Sequence, residues 1–229
     1  MGKVGKYASI GLSLLTIAGS GLAVAKRRDI TDWVILRNYE PSVEIARLSN
    51  DTALSSLGQK LFYVYDPQLL SKEGFNAQCT LGEQSIVLGC YDGTGIYIYD
   101  ISDPRLEGVE EVTSAHEMLH AAYERLSDGE REEVDALLKA AIDSTNNARI
   151  KALVELYRQR DASTLSNEMH SIIGTELREI SPQLEEYYSR YFLNRKKVVE
   201  YSEKYEAVFT NLQNQVKQID ADLLLRKAE

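Results

Sequence analysis

Val112, Ala115, Leu119, Ala122 and Leu126 fall at steps of three and four residues, and from Gly108 to the C-terminus no segment carries a strand pattern. That spacing places one apolar stripe on a helix and confines any sheet to the first half of the chain. Further helices are expected at about 129–144, 148–159 and 164–179 on the same periodicity, and Ser181-Pro182 breaks the pattern because the residue before a proline avoids helical backbone. A last helical stretch begins near Gln183, in which Tyr205, Val208, Leu212, Val216, Ile219 and Leu223 continue the alternation. That stripe either packs on its own chain or serves a helical partner, a second copy included. Its few heptads favour the first.

Strand signals precede Gly108. Leu61–Tyr65 ends at Asp66-Pro67, Ser85–Leu88 is β-branched and apolar, and Gly95–Tyr99 follows the hairpin signal Asp92-Gly93. Asp29–Gln59 reads as a connector with short helices, one opened by Pro41 and another capped by Thr52. The expected fold class is α+β: a small, mostly antiparallel sheet with active-site helices, an N-terminal membrane helix and a long C-terminal helix.

Ala8–Ala25 is uncharged and mostly apolar, with Lys3 and Lys6 before it and Lys26, Arg27 and Arg28 after. About 20 apolar residues cross a bilayer, so residues 7–25 are expected to anchor the chain. The rival is a secretory signal, for which Ala23-Val24-Ala25 supplies a small-x-small cleavage pattern. Cys79 and Cys90, the only two cysteines, flank a short segment that a hairpin closes, and with an export-like N-terminus they suggest a disulfide and an extracytoplasmic domain. A net charge of -9 excludes a general phosphate-binding surface, so no nucleic-acid partner is expected.

The helix after Gly108 carries Ala115-His-Glu-Met-Leu-His120, an H-E-x-x-H motif made from two of the three histidines in the chain. Residues four apart share a helix face, so His116 and His120 converge on one ion while Glu117 stands beside it as general base. The implied metal is Zn2+, and the implied chemistry is activation of water. A catalytic zinc takes a third protein ligand. The extension H-E-x-x-H-x-x-G-x-x-H is excluded, since Tyr123 and Leu126 stand where glycine and histidine belong.

Downstream, Ser166-Asn-Glu-Met-His-Ser-Ile-Ile-Gly-Thr175 lies on another expected helix. With it the chain resembles the gluzincin metallopeptidases, thermolysin-like in these two short motifs, whose second motif has an Asn-Glu-x-x-Ser-Asp core followed by an apolar pair and Gly-Thr. The resemblance implies Glu168 as third ligand, with Asn167, Ser171, Gly174 and Thr175 matching its neighbours. Ile172 departs from it, standing where the family places the carboxylate that orients a ligating histidine; Glu176 or a backbone carbonyl is the expected substitute. His170 is the alternative ligand or a substrate contact, and it cannot face the metal together with Glu168, being two positions away on a helix. The resemblance also implies an oxyanion stabiliser, for which Tyr187, Tyr188, Tyr191 and Tyr123 are candidates, and a substrate that pairs with strand Gly95–Tyr99 as an added strand.

The expectation is therefore a zinc metallopeptidase acting on peptide or protein at the membrane: segment 1–28, connector 29–59, zincin-like catalytic domain 60–195 and C-terminal helix 196–229. The alternatives are a membrane-tethered interaction protein with a structural or inactive zinc site, and a zinc amidase for a non-peptide envelope substrate.

Overall fold

Ser42, Ser55, Ser71, Ser127, Asn147 and Ser181 each start a helix by accepting a hydrogen bond from a backbone N–H of its first turn. Those amides have no partner inside the helix, which is why short polar side chains fix where helices begin. Ser127 and Glu130 complete a reciprocal capping box. A computed structural model describes residues 27–79 and 88–228, with helices α1 (Arg27–Leu36), α2 (Val43–Asp51), α3 (Ser56–Val64), α4 (Lys72–Gln78), α5 (Val109–Glu124), α6 (Asp128–Ser144), α7 (Ala148–Arg160), α8 (Leu165–Glu176), α9 (Pro182–Tyr188) and α10 (Arg195–Ala228), of which the six caps start α2, α3, α4, α6, α7 and α9. The chain divides into two compact units, Met1–Glu40 and Pro41–Glu229. The first contributes α1; the remaining elements belong to the second.

The α+β expectation is corrected, because helix dominates and the only sheet among the described residues has three short strands. β1 (Gln68–Leu70), β2 (Gly89–Tyr91) and β3 (Ile96–Tyr99) lie in the order β1-β3-β2, with β1 parallel and β2 antiparallel to β3. The expected strand Leu61–Tyr65 lies mostly in α3. Ser55 caps that helix, and Leu61, Phe62 and Val64 are buried together, which two-residue alternation does not allow. Thr52 ends α2 instead of starting the next helix. The expected Ser85–Leu88 strand lies outside the described residues but for Leu88.

The single-pass anchor with an extracytoplasmic domain is also corrected. Residues 7–25 lie outside the described residues, and among those no helix is long and apolar enough to cross a membrane. α10 has the length, at 34 residues, but carries charged residues along it from Arg195 to Lys227.

α5 runs through the centre of the second unit. It buries Val112, Ala115, Met118, Leu119 and Ala122 against α8, α10, α2, α3 and the sheet. Arg47 of α2 pairs with Glu110 and Glu111 in the first turn of α5, where carboxylates also suit the helix dipole. α8 crosses α5 closely because of Gly174: a Cβ there would meet Leu119 Cδ1 at 2.5 Å and Tyr188 Cε1 at 2.8 Å. The C-terminal end of α8 is held by Arg195, a 3% exposed residue whose guanidinium donates to the carbonyls of Gly174, Leu177 and Arg178 and to the Glu185 carboxylate. This satisfies carbonyls that a helix end leaves open.

Candidate metal centre

α5 and α8 bring their motifs face to face. One side-chain donor atom from each of His116, His120 and Glu168 lies within 4.8 Å of the others, the only group of its kind among the described residues. His120 Nε2 stands 3.9 Å from Glu168 Oε2, and the two imidazole rings are 4.7 Å apart at 75°. Tetrahedral zinc ligands about 2.05 Å from one ion sit about 3.3 Å from each other, so these donors need close by about 1.5 Å at most. Two neutral imidazoles and a carboxylate are a donor set zinc accepts, and three ligands leave a position open.

The orienting hydrogen bond comes from Asn167. Its Oδ1 lies 3.0 Å from His120 Nδ1, so with Nδ1 protonated and donating, Nε2 is free to ligate. Asn167 thus braces one candidate ligand, while the adjacent Glu168 is another. Ile172, at the position expected to carry a carboxylate, is 3% exposed and adds an apolar wall. Glu176 is committed elsewhere, to Arg149. Burial, and then His120 and His170, hold the His116 imidazole well below its ordinary pKa, which favours the neutral form that binds metals.

His170 is turned away, as its spacing from Glu168 requires. It is fully buried, its Nε2 2.8 Å from Tyr187 OH and its ring surrounded by Tyr123, Tyr187, Tyr188 and Tyr191 at 5.3–6.4 Å. Burial, then His120, lower its pKa to about 3. None of the four tyrosines lines the cleft beside the histidine-glutamate group. Tyr188 OH donates to the His170 carbonyl and Tyr123 OH to Asp135, so these hydroxyls bind the interior rather than a reacting carbonyl.

The cleft itself has a volume of about 1000 Å³ and contains His116, Glu117, His120 and Glu168. One wall is strand β2, from Gly89 to Tyr91. Its register, with Cys90 opposite Tyr97 and the Tyr99 N–H bonded to the Leu88 carbonyl, aims Leu88 and Cys90 at β3 and turns the N–H and C=O groups of Gly89 and Tyr91 to the outer edge. β3 is central and paired on both sides, so the edge expected at Gly95–Tyr99 is β2 instead. Gly89 allows β2 to approach α5: a Cβ there would meet Thr113 Cγ2 at 2.3 Å and Glu117 Oε1 at 2.8 Å. Cys90 is disulfide-bonded to Cys79, and Tyr91 OH donates to Glu124 at 2.9 Å, so the strand is tied down at its middle and at its C-terminal end.

Further lining of the cleft was not found from sequence. α7 presents Arg149, Leu153, Tyr157 and Arg160, and α10 presents Tyr205, Glu206, Phe209 and Gln213. Arg149 joins these walls through Glu176 and Glu206. The steps of three and four along α7 were visible, but they mark only a helical face; its direction depends on how α7 packs. No protein-family model, curated protein or solved structure matches this chain.

Proposed function

We propose that this protein is a zinc-dependent metallopeptidase that hydrolyses extended polypeptide with Glu117 as general base. The observation that carries the reading is the convergence of His116, His120 and Glu168 from two helices, in a cleft that also holds Glu117 and is walled by an edge strand. The resemblance to gluzincins supports it independently, since it pointed to Glu168 from sequence.

His116, His120 and Glu168 would hold the zinc. When bound, zinc supplies Lewis acidity, which brings a water molecule's pKa to about 7 and polarises a carbonyl. Glu117 takes the proton of the attacking water and delivers it to the leaving amine nitrogen. Asn167 keeps His120 in the ligating tautomer. The outward groups of Gly89 and Tyr91 pair with the substrate backbone, holding an extended segment beside Glu117. The donor-bearing side chains that line the cleft, Tyr157, Tyr205, Arg149 and Arg160, are the candidates to face a developing oxyanion, in place of Tyr123, Tyr187, Tyr188 and Tyr191, which do not line it. A strand-walled cleft of this size suits a polypeptide better than a sugar or a small acyl group.

The test is zinc content and peptide cleavage for wild type, Glu117→Gln, Glu168→Ala and His170→Ala. Glu117→Gln keeps zinc and loses hydrolysis by about 10²–10⁴-fold or more, Glu168→Ala loses zinc, and His170→Ala retains it. Hydrolysis at the wild-type rate by Glu117→Gln would sink the mechanism.

A further inference from the structure

α10 starts as a cleft wall and continues as an uncovered surface. Tyr205, Phe209 and Gln213 line the cleft, and beyond them Leu212, Val216, Ile219 and Leu223 are 48%, 57%, 58% and 50% exposed. Stripes of this spacing ordinarily pack against another element. At 3.6 residues per turn the two sets of positions are centred within about 60° of each other around the helix, so one face serves both. Leu212 to Leu223 spans about 17 Å of helix, the length of about five residues of extended chain.

We infer that this stripe is a docking surface for the polypeptide substrate, engaging an unfolded, apolar segment adjacent to the one in the cleft. The inference rests on the hydrolase reading for what occupies the cleft. Continuity with the cleft wall is the first reason for this occupant. The second is the chemistry beside the stripe where it meets the cleft: Gln213 and Gln215 stand on either side of it as amides without charge, able to donate to and accept from the backbone of any sequence. A second copy of the chain is the weaker fit, because the exposed positions make only two heptads where a coiled coil takes about three to four. The surface favours apolar, unfolded chains over folded ones, whose apolar side chains are already buried.

The experiment compares wild type with the full-length variant Leu212→Gln, Val216→Gln, Ile219→Gln, Leu223→Gln, with helix content checked by circular dichroism. Two probes are used: reduced, carboxymethylated α-lactalbumin as a long unfolded chain, and a fluorescence-quenched library of short peptides that occupy the cleft alone. The variant should lose tenfold or more in kcat/KM on the long probe, through KM, and change less than twofold on the short one. Binding of fluorescent α-lactalbumin, followed by anisotropy in a Glu117→Gln background, should weaken in parallel. Equal losses on both probes, unchanged binding, or a wild-type dimer that the variant dissolves into monomers would each overturn the docking role. Stripe-dependent binding without hydrolysis of either probe by wild type would uphold the docking surface and refute the hydrolase reading.

Discussion

Replacing Gly89 by alanine should separate catalysis from both metal binding and folding. The backbone at Gly89 lies outside the left-handed region, so alanine costs nothing in conformation; the effect arises from the methyl group alone. That methyl would stand 2.3 Å from Thr113 Cγ2, 2.8 Å from Glu117 Oε1 and 3.0 Å from Glu117 Cγ. Ordinary contacts begin near 3.5 Å, so the Glu117 carboxylate must retreat by about 0.7 Å and the Thr113 methyl by about 1.2 Å. Both are side-chain ends that can rotate, which places the stability cost at the low end of the about 1–3 kcal/mol of an overpacked site. A chain of this size then loses about 2–4 °C in Tm. Catalysis is less forgiving, since about 1 Å of misplacement costs about 10²-fold. The expected result is a loss of about 30–100-fold in kcat, with zinc stoichiometry at the wild-type value. Steady-state kinetics, metal analysis and thermal melting measure the three quantities. Activity within threefold of wild type would refute the idea that Gly89 sets the position of Glu117, and loss of zinc would show that the strand supports the ligands rather than the base.

Asn167→Ala removes the acceptor of His120 Nδ1 and should weaken zinc by about 10–100-fold, read by competition with a chromophoric chelator; an unchanged affinity would discard Asn167 as a brace. Cys79→Ser with Cys90→Ser opens a loop of sequence separation 11 and should cost about 2.8 kcal/mol in the chain-entropy account, measured by urea denaturation of the apo protein. Arg195→Met leaves carbonyls at the end of α8 without a donor and should cost about 1–3 kcal/mol; a Tm within 1 °C of wild type, where about 2–12 °C is expected, would deny Arg195 that role.

The helical half was legible because its signals are local. The three- and four-residue steps and the break at Ser181-Pro182 could be read along the chain, and the caps at Ser127 with Glu130, Asn147 and Ser181 start the helices close to where those steps begin. Leu61–Tyr65 misled because a short apolar and aromatic run has no period of its own; the Ser55 cap outweighs its β propensity, and the core takes Leu61, Phe62 and Val64 together. The central position of β3 was hidden for a related reason. Its second neighbour, Gln68–Leu70, is too short to carry a pattern, so nothing local revealed which strand was the edge. At the site, the spacing of His116 and His120 fixed their common face with Glu117 beside it, and the motif around Glu168 supplied its partner. Asn167 was visible only as a matching neighbour. That it braces His120 follows from the packing of α5 on α8, as does the enclosure of His170 by four tyrosines.

Because Asn167 and Glu168 are consecutive on α8, one helix supplies both the third donor and the brace for the second. Sliding α8 by one residue along α5 would shift it about 1.5 Å and turn it about 100°, removing both contacts at once. α5 alone supplies two donors, so the third donor and the brace are gained together, at one register of the two helices. Metal added during refolding should accordingly select chains whose α5 and α8 have already docked in that register, making its uptake a reporter of correct assembly.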